Sequence, residues 1–242
     1  MQKIVIFTSS GGGGHIAASS ALKSYLDDSY EVSVVFLLTD LLKSFDPIRL
    51  LTSSTQSGEG FYNFLMKYKQ WWLLNYIYYI GKLWFMPFAP LIKKKTVRYL
   101  QDNNIDMIIS VVPIFNNSLL AAAQELDIPF LLMPTDLDIR SFVYNIKKNS
   151  YRKFKINLIF DDKSIKNNVP TRRIADARIT YNGFPLRPEF FETKDKIWLR
   201  QLFEIDIDVP VLMIMMGLQG SDSLVDIVKS LFPLSVRLHL LV

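Results

Sequence analysis

Residues 3–8, KIVIFT, run into Ser9-Ser10, four consecutive glycines, a histidine and then IAASSAL. A short β-branched run that stops at glycine and restarts with helical spacing is how a buried parallel strand passes into a helix. Apolar Ile16, Ala17, Ala21, Leu22, Tyr25 and Leu26 recur at that spacing, and residues 31–38, EVSVVFLL, read as the next strand, ending in Thr39-Asp40. The unit is β-α-β, the building block of parallel sheets. Glycine loses more conformational freedom on ordering than any other residue. Four in a row therefore imply that something approaches the backbone closely, or that the histidine must be presented.

The rhythm breaks once. Residues 41–95 are rich in aromatics, carry the turn TSSTQSGEG and read as an irregular helical insertion. Strands are then expected at 105–112, 128–133, 156–160 and 177–181, with a helix at 116–125. This alternation predicts an α/β fold, a Rossmann-like parallel sheet with helices on both faces. After GFPLRP (183–188) comes a polar linker with a short amphipathic helix at 194–203. The pattern then restarts: strand 209–216, turn GLQGSDS, helix 224–232 and strand 236–242. The expected organisation is a domain at 1–188, a linker at 189–207, and the opening β-α-β of a second Rossmann-like domain at 208–242. That last piece is too small to make a core of its own.

Composition narrows the function classes. Half of the 242 residues are hydrophobic and 21% are charged, which fits an ordered globular chain. The absence of cysteine removes disulfides and thiolate metal sites. A formal charge of +5 suits anionic partners. The basic residues are not interleaved with a recognisable stacking module, so no nucleic-acid partner is expected. The start, MQKIVIFTSSG, has too short an apolar run for a secretory signal. Residues 71–92 approach the length of a membrane span, but Lys82, Gly81, Pro87 and Pro90 interrupt them. Their Trp and Tyr rings prefer the headgroup boundary. The segment reads as interfacial or buried, with Trp71, Trp72, Trp84, Lys93, Lys94 and Lys95 as expected membrane contacts.

The glycine loop admits three readings. Gly12, Gly14 and Ala17 satisfy G-x-G-x-x-A, with Asp40 at the end of the next strand, as in a dinucleotide site. Alternatively, His15 sits in the first helical turn, where the helix dipole disfavours its protonated form and keeps it available as a general base; the bland counterpart is a ring that only caps the helix. The third reading is a turn that serves packing alone. Asp136 and Asp138, after a strand, lie where α/β folds place ligand residues. Either Asp136 orients His15 or contacts substrate, or both serve as cap and turn formers.

Four segments in order, GGGGHIAASSAL, MPTDLD, YNGFPLRPEFF and VLMIMMGLQG, resemble the monogalactosyldiacylglycerol synthase family, which includes processive diacylglycerol glycosyltransferases. They are more distantly similar to the peptidoglycan glycosyltransferase MurG. The resemblance implies a GT-B architecture of two Rossmann-like domains, of which this chain holds the N-terminal half and the start of the second. It implies transfer of a hexose, with inversion, from a UDP-sugar to diacylglycerol. It calls for no cofactor and no metal, the UDP-sugar being the donor substrate. By resemblance His15 deprotonates the acceptor, and Gly12, Gly13 and Gly14 line the acceptor or phosphate side; Gly217 and Gly220 belong to a donor-side loop. Asp136 as a second catalytic residue and Asp138 as an acceptor-side residue rest on their place after a strand. The implied partners are diacylglycerol and anionic membrane lipids, at the cytoplasmic face of a membrane.

A full second domain needs roughly 100–150 further residues. The chain alone is therefore expected to transfer sugar poorly. A gene fragment, a frameshifted copy, or half of a split enzyme whose donor domain is a separate chain would account for that. A non-catalytic lipid-binding remnant and a dinucleotide-binding Rossmann protein are the alternatives.

Overall fold

The computed structural model describes residues 1–52, 57–68, 70–146, 151–161, 178–215, 222–233 and 237–241. Strand β1 (Lys3–Thr8) is buried from Ile4 onward and pairs in parallel with both β2 (Glu31–Phe36) and β3 (Met107–Ser110). β4 (Phe130–Leu132), β5 (Phe154–Leu158) and β6 (Ile179–Tyr181) extend the sheet, giving the order β2-β1-β3-β4-β5-β6 with every pair parallel. Strands buried on two faces read as continuous apolar runs, which is why sequence spacing found them. It overran the end of β2. Leu37–Leu41 close into a π-helical turn, where the Asp40 carboxylate accepts the Phe36 amide at 2.9 Å.

Helix α1 (Gly13–Leu26) follows the glycines. The insertion folds into α2 (Pro47–Thr52), α3 (Gly58–Lys67) and α4 (Trp71–Phe85), and leads into α5 (Ala89–Asp102). Helix α6 (Asn116–Glu125) joins β3 to β4. From β1 the chain steps to one side of the sheet, and from β2 onward it steps to the other. Right-handed crossovers therefore place α1 on one face and α5 and α6 on the opposite face. The packing agrees: Ile4, Ile6, Val32 and Ile109 meet Leu22 and Leu26 of α1. Val5, Phe7, Ile108 and Leu132 join the larger cluster with Ile92, Leu100 and Leu119. Alternation along β1 thus feeds two cores. Among the described residues α1 covers only part of its face; beside it lies a groove of about 850 Å³ bordered by Leu22, Leu131, Met133, Asn157 and Pro185.

At the end of β6, Asn157 pins the GFPLRP turn. Its Nδ2 donates to the Gly183 carbonyl at 3.0 Å, and its Oδ1 accepts the Asn182 amide at 3.0 Å. Gly183 has φ +84°, a conformation glycine adopts without strain. Helix α7 (Lys196–Leu202) starts at Asp195, whose carboxylate accepts the Trp198 amide at 2.7 Å. Strand β7 (Val211–Met213), helix α8 (Ser223–Leu231) and strand β8 (His239–Leu241) form a separate parallel pair. No helix among the described residues is long and apolar enough to cross a membrane.

Candidate active site at the glycine loop

Gly12, at φ +89°, is the N-cap of α1, so the helix begins at Gly13 and His15 falls in its first turn. The His15 side chain points inward and the residue is only 9% exposed. Its Nδ1 lies 2.8 Å from the Val111 carbonyl and 2.8 Å from Thr135 Oγ1. A carbonyl oxygen can only accept, so Nδ1 carries the hydrogen and Nε2 is the ring's free base. The Val111 segment is fixed in turn by buried Asn116. Its Nδ2 donates to the carbonyls of Val112 (2.8 Å) and Phe142 (2.9 Å), and its Oδ1 accepts from Ser110 Oγ at 2.6 Å. Tautomer and ring orientation are therefore set by the loops after β3 and β4.

Burial lowers the proton affinity of His15; the Asp136 charge, the Val111 hydrogen bond and Glu59 all pull the other way. The neutral ring expected from the helix dipole is thus favoured chiefly by desolvation. Asp136 stands at the rim and acts on the ring through its charge, while the hydrogen bonds at Nδ1 belong to Val111 and Thr135. Surrounding protein raises the Asp136 carboxyl above its ordinary value, the His15 charge opposes that rise and Asp138 adds to it.

Three amides of the loop, those of Ser10, Gly11 and Gly12, are already engaged. Glu59 of α3 accepts from Ser9 Oγ at 2.8 Å through Oε1, and from the Ser10 amide at 3.1 Å and the Ser10 hydroxyl through Oε2. Asn63, one helical turn on, accepts the Gly12 amide at 3.0 Å and donates to the Ser10 carbonyl at 2.8 Å. The Gly11 amide donates to Ser9 Oγ at 3.0 Å. In a dinucleotide or phosphate loop these donors face the ligand. Here they hold the insertion, and Asp40 is turned back onto β2. Gly14 differs: a Cβ built there meets nothing within 4 Å.

Beside His15 opens a cavity of about 410 Å³. Leu37, Ile48, Phe61, Phe85 and Ile114 form much of its wall, while Ser9, His15, Glu59 and Asp136 supply a polar end. Leu51 and Ile80 line it and are also exposed, so the cavity reaches the outer surface of the insertion. That surface is apolar: Trp72, Tyr76, Tyr79, Ile80 and Leu83 project from α4, Phe64 from α3 and Tyr68 from its C-terminal end. A contiguous exposed apolar face of this kind marks an interaction surface.

The other expected residues scatter. Asp138 caps the short turn Ile139–Ser141 and chelates Arg140, whose hydrogen bonds lower its proton affinity. Trp84 packs inward, donating from Nε1 to the Phe45 carbonyl at 2.9 Å. Lys93 pairs with Glu125 at 2.6 Å, and Lys95 donates to Leu41 O and Ser44 Oγ, leaving Lys94 exposed. The three lysines do not form one outward patch. The Trp71 side chain, Gly217 and Gly220 lie outside the described residues. Sequence reasoning missed Glu59, Asn63, Asn116, Thr135 and the Val111 carbonyl. Thr135 adjoins the singled-out Asp136, but a backbone carbonyl leaves no signature.

No protein-family model matches the chain. It is 24% identical over 232 residues to chloroplastic monogalactosyldiacylglycerol synthase 1 of Arabidopsis thaliana, covering 90% of this chain and 41% of that protein. The chloroplastic monogalactosyldiacylglycerol synthase of Spinacia oleracea matches at 24% over 230 residues, covering 90% and 42%. The chain thus spans about two-fifths of the length of the curated relatives it matches. Among solved structures, Acinetobacter baumannii MurG aligns with 99% of this chain and 60% of its own at a TM-score of 0.50 and 12% identity. The similarity carried by the four sequence segments extends along the chain. The fold is that of the N-terminal Rossmann-like domain of a GT-B protein.

Proposed function

We propose that this chain is the acceptor-side half of a glycosyltransferase that passes a hexose from a UDP-sugar to diacylglycerol at a membrane surface. The observation that carries the reading is a buried imidazole, its Nδ1 held on the Val111 carbonyl, lining a largely apolar cavity that reaches an exposed apolar face. An alcohol arriving from a bilayer needs both parts: an apolar passage for its acyl chains and a base at the passage's end. The sequence similarity to monogalactosyldiacylglycerol synthases supports the choice of acceptor and donor.

In the proposed step His15 Nε2 takes the hydroxyl proton as the acceptor oxygen bonds to the anomeric carbon. The bond from that carbon to the UDP oxygen breaks on the opposite side, inverting the centre and releasing UDP. Val111 and Thr135 keep Nδ1–H engaged, so the proton arrives at Nε2 alone, and Asp136 stabilises the imidazolium that forms. The donor is held by the second half of the fold. The face of α3 and α4 rests on the membrane peripherally, at its cytoplasmic side.

The test is lipid mass spectrometry on cells expressing this chain with the donor half of a monogalactosyldiacylglycerol synthase. Hexosyl-diacylglycerol is expected only with both halves. His15→Ala should lower it by about 10²–10⁴-fold, the usual contribution of a general base. Product that is indifferent to His15 would refute the reading.

A further inference from the structure

Glycine loops that open helices offer their amides to phosphate oxygens. In this chain the amides of Ser10, Gly11 and Gly12 end on Glu59, Ser9 and Asn63. Both oxygens of one carboxylate are used, and that carboxylate comes from a helix 49 residues away in sequence. Glu59 therefore takes one loop amide and the hydroxyls of Ser9 and Ser10, donors that a bound anion would otherwise compete for. The same side chain lines the cavity beside His15, together with Asp136. Among the described residues the cavity lining includes two carboxylates and neither lysine nor arginine. An anionic headgroup delivered to Nε2 would meet like charge without a cation to offset it, whereas an uncharged hydroxyl would not.

We infer that Glu59 is a built-in anion that closes the glycine loop to phosphates and restricts the His15 cavity to an uncharged lipid alcohol. The first half stands on the loop geometry alone; the second rests on the acceptor reading above. Glu59 also fastens α3, and with it the exposed apolar face, to the loop that carries His15. It is a positioning and specificity residue, and it forms no bond in the reaction.

Two variants separate the roles. Glu59→Ala vacates the loop, and Glu59→Gln keeps the side-chain length while removing the charge. The first readout is the amide resonances of Ser10, Gly11 and Gly12 during titration with inorganic phosphate and pyrophosphate. The wild-type chain should show no saturable shift and Glu59→Ala should gain one. A folded Glu59→Ala that ignores both anions overturns the loop half, as does saturable binding by wild type. If Glu59→Ala does not fold, Glu59→Gln is read in the same titration with the same expected direction and the same refuting result.

The second readout is the His15 ring proton during titration with dihexanoylglycerol and with dihexanoyl phosphatidic acid. Wild type should prefer the neutral lipid by at least about 10-fold, since juxtaposed like charges are strongly disfavoured. In Glu59→Gln that preference should narrow several-fold. An unchanged preference overturns the specificity role while leaving the acceptor reading standing. If neither lipid perturbs the ring in wild type, the acceptor reading falls and takes the lipid half of this inference with it.

Discussion

Two β-α-β units in this chain share one sequence plan, an apolar strand, a glycine turn, a helix and a parallel strand, and they end in opposite states. In the first, β1 is buried along almost its whole length between β2 and β3, with helices on both faces. In the second, among the described residues, β7 pairs only with β8, Leu212 is 38% and Met213 66% exposed, and α8 has no buried residue. The local pattern is enough to specify strand and helix in both units. Burial is supplied by neighbouring elements, which among the described residues surround the first unit and not the second. The contrast also separates the turns. The first carries His15 against a buried network, whereas GLQGSDS has no histidine, and His239 accepts the Asp206 amide at 3.1 Å on the outer strand β8.

The sharpest way to break that comparison is to remove equivalent side chains. Phe7 of β1 is fully buried, and Phe7→Ala should destabilise the chain by about 3–5 kcal/mol through lost transfer and a residual cavity. Leu212→Ala in β7 should stay within about 1 kcal/mol, as substitutions at exposed sites do. Urea denaturation of both variants measures the difference. Comparable losses would mean that the second unit has a core of its own, and the contrast would fail.

The parallel sheet was legible because buried strands are continuous apolar runs, and glycine follows closely on β1 and β6; β1, β3 and α6 fall where spacing put them. The insertion was legible only in outline. Its role depends on Glu59 and Asn63 reaching back some fifty residues to the glycine loop, and no local period encodes such a contact. His15 was conspicuous as a histidine after four glycines. The groups that fix its tautomer were not, because one is a backbone carbonyl and another, Asn116, acts through a loop. Lys93, Lys94 and Lys95 looked like a membrane patch because adjacency in sequence suggests adjacency in space. On a helix, consecutive residues point about 100° apart, so two of them pair with groups on α6 and beside the π-helical turn while Lys94 alone is exposed.

A smaller effect sharpens what the first turn's glycines are for. Gly14 lies within α1, where glycine is disfavoured relative to alanine, and a Cβ there has open space around it. Gly14→Ala should therefore stabilise the fold by about 0.5–1 kcal/mol. If backbone access is the reason for the glycine, the same change should reduce sugar transfer in the two-half assay although the protein is more stable. Stabilisation with undiminished transfer would leave the open space without a use, and a loss of stability would show that the space is filled.

The smallest expected effect lies in the electrostatics that distinguish His15 from the chain's other histidine. Asp136 raises the proton affinity of His15 by charge, against the larger lowering by burial. Asp136→Asn removes that support, so His15 should titrate at still lower pH than in wild type. The His15 ring resonance can be followed in a proton NMR titration of wild type and variant. The sign for stability follows. Between the lowered folded value of His15 and its ordinary 6.5, the unfolded chain binds more protons, so stability rises with pH across that window and the gain is complete above it. The Asp136 carboxyl, raised in the fold above its ordinary 3.8, works in reverse: between 3.8 and its raised value the folded chain holds the extra proton, and stability falls as pH climbs. Asp136→Asn should therefore abolish the acid-side fall and extend the histidine-linked rise to lower pH. An unmoved His15 titration would mean that the rim carboxylate does not act on the ring, and the imidazolium formed in transfer would have to be stabilised by Val111 and Thr135 alone.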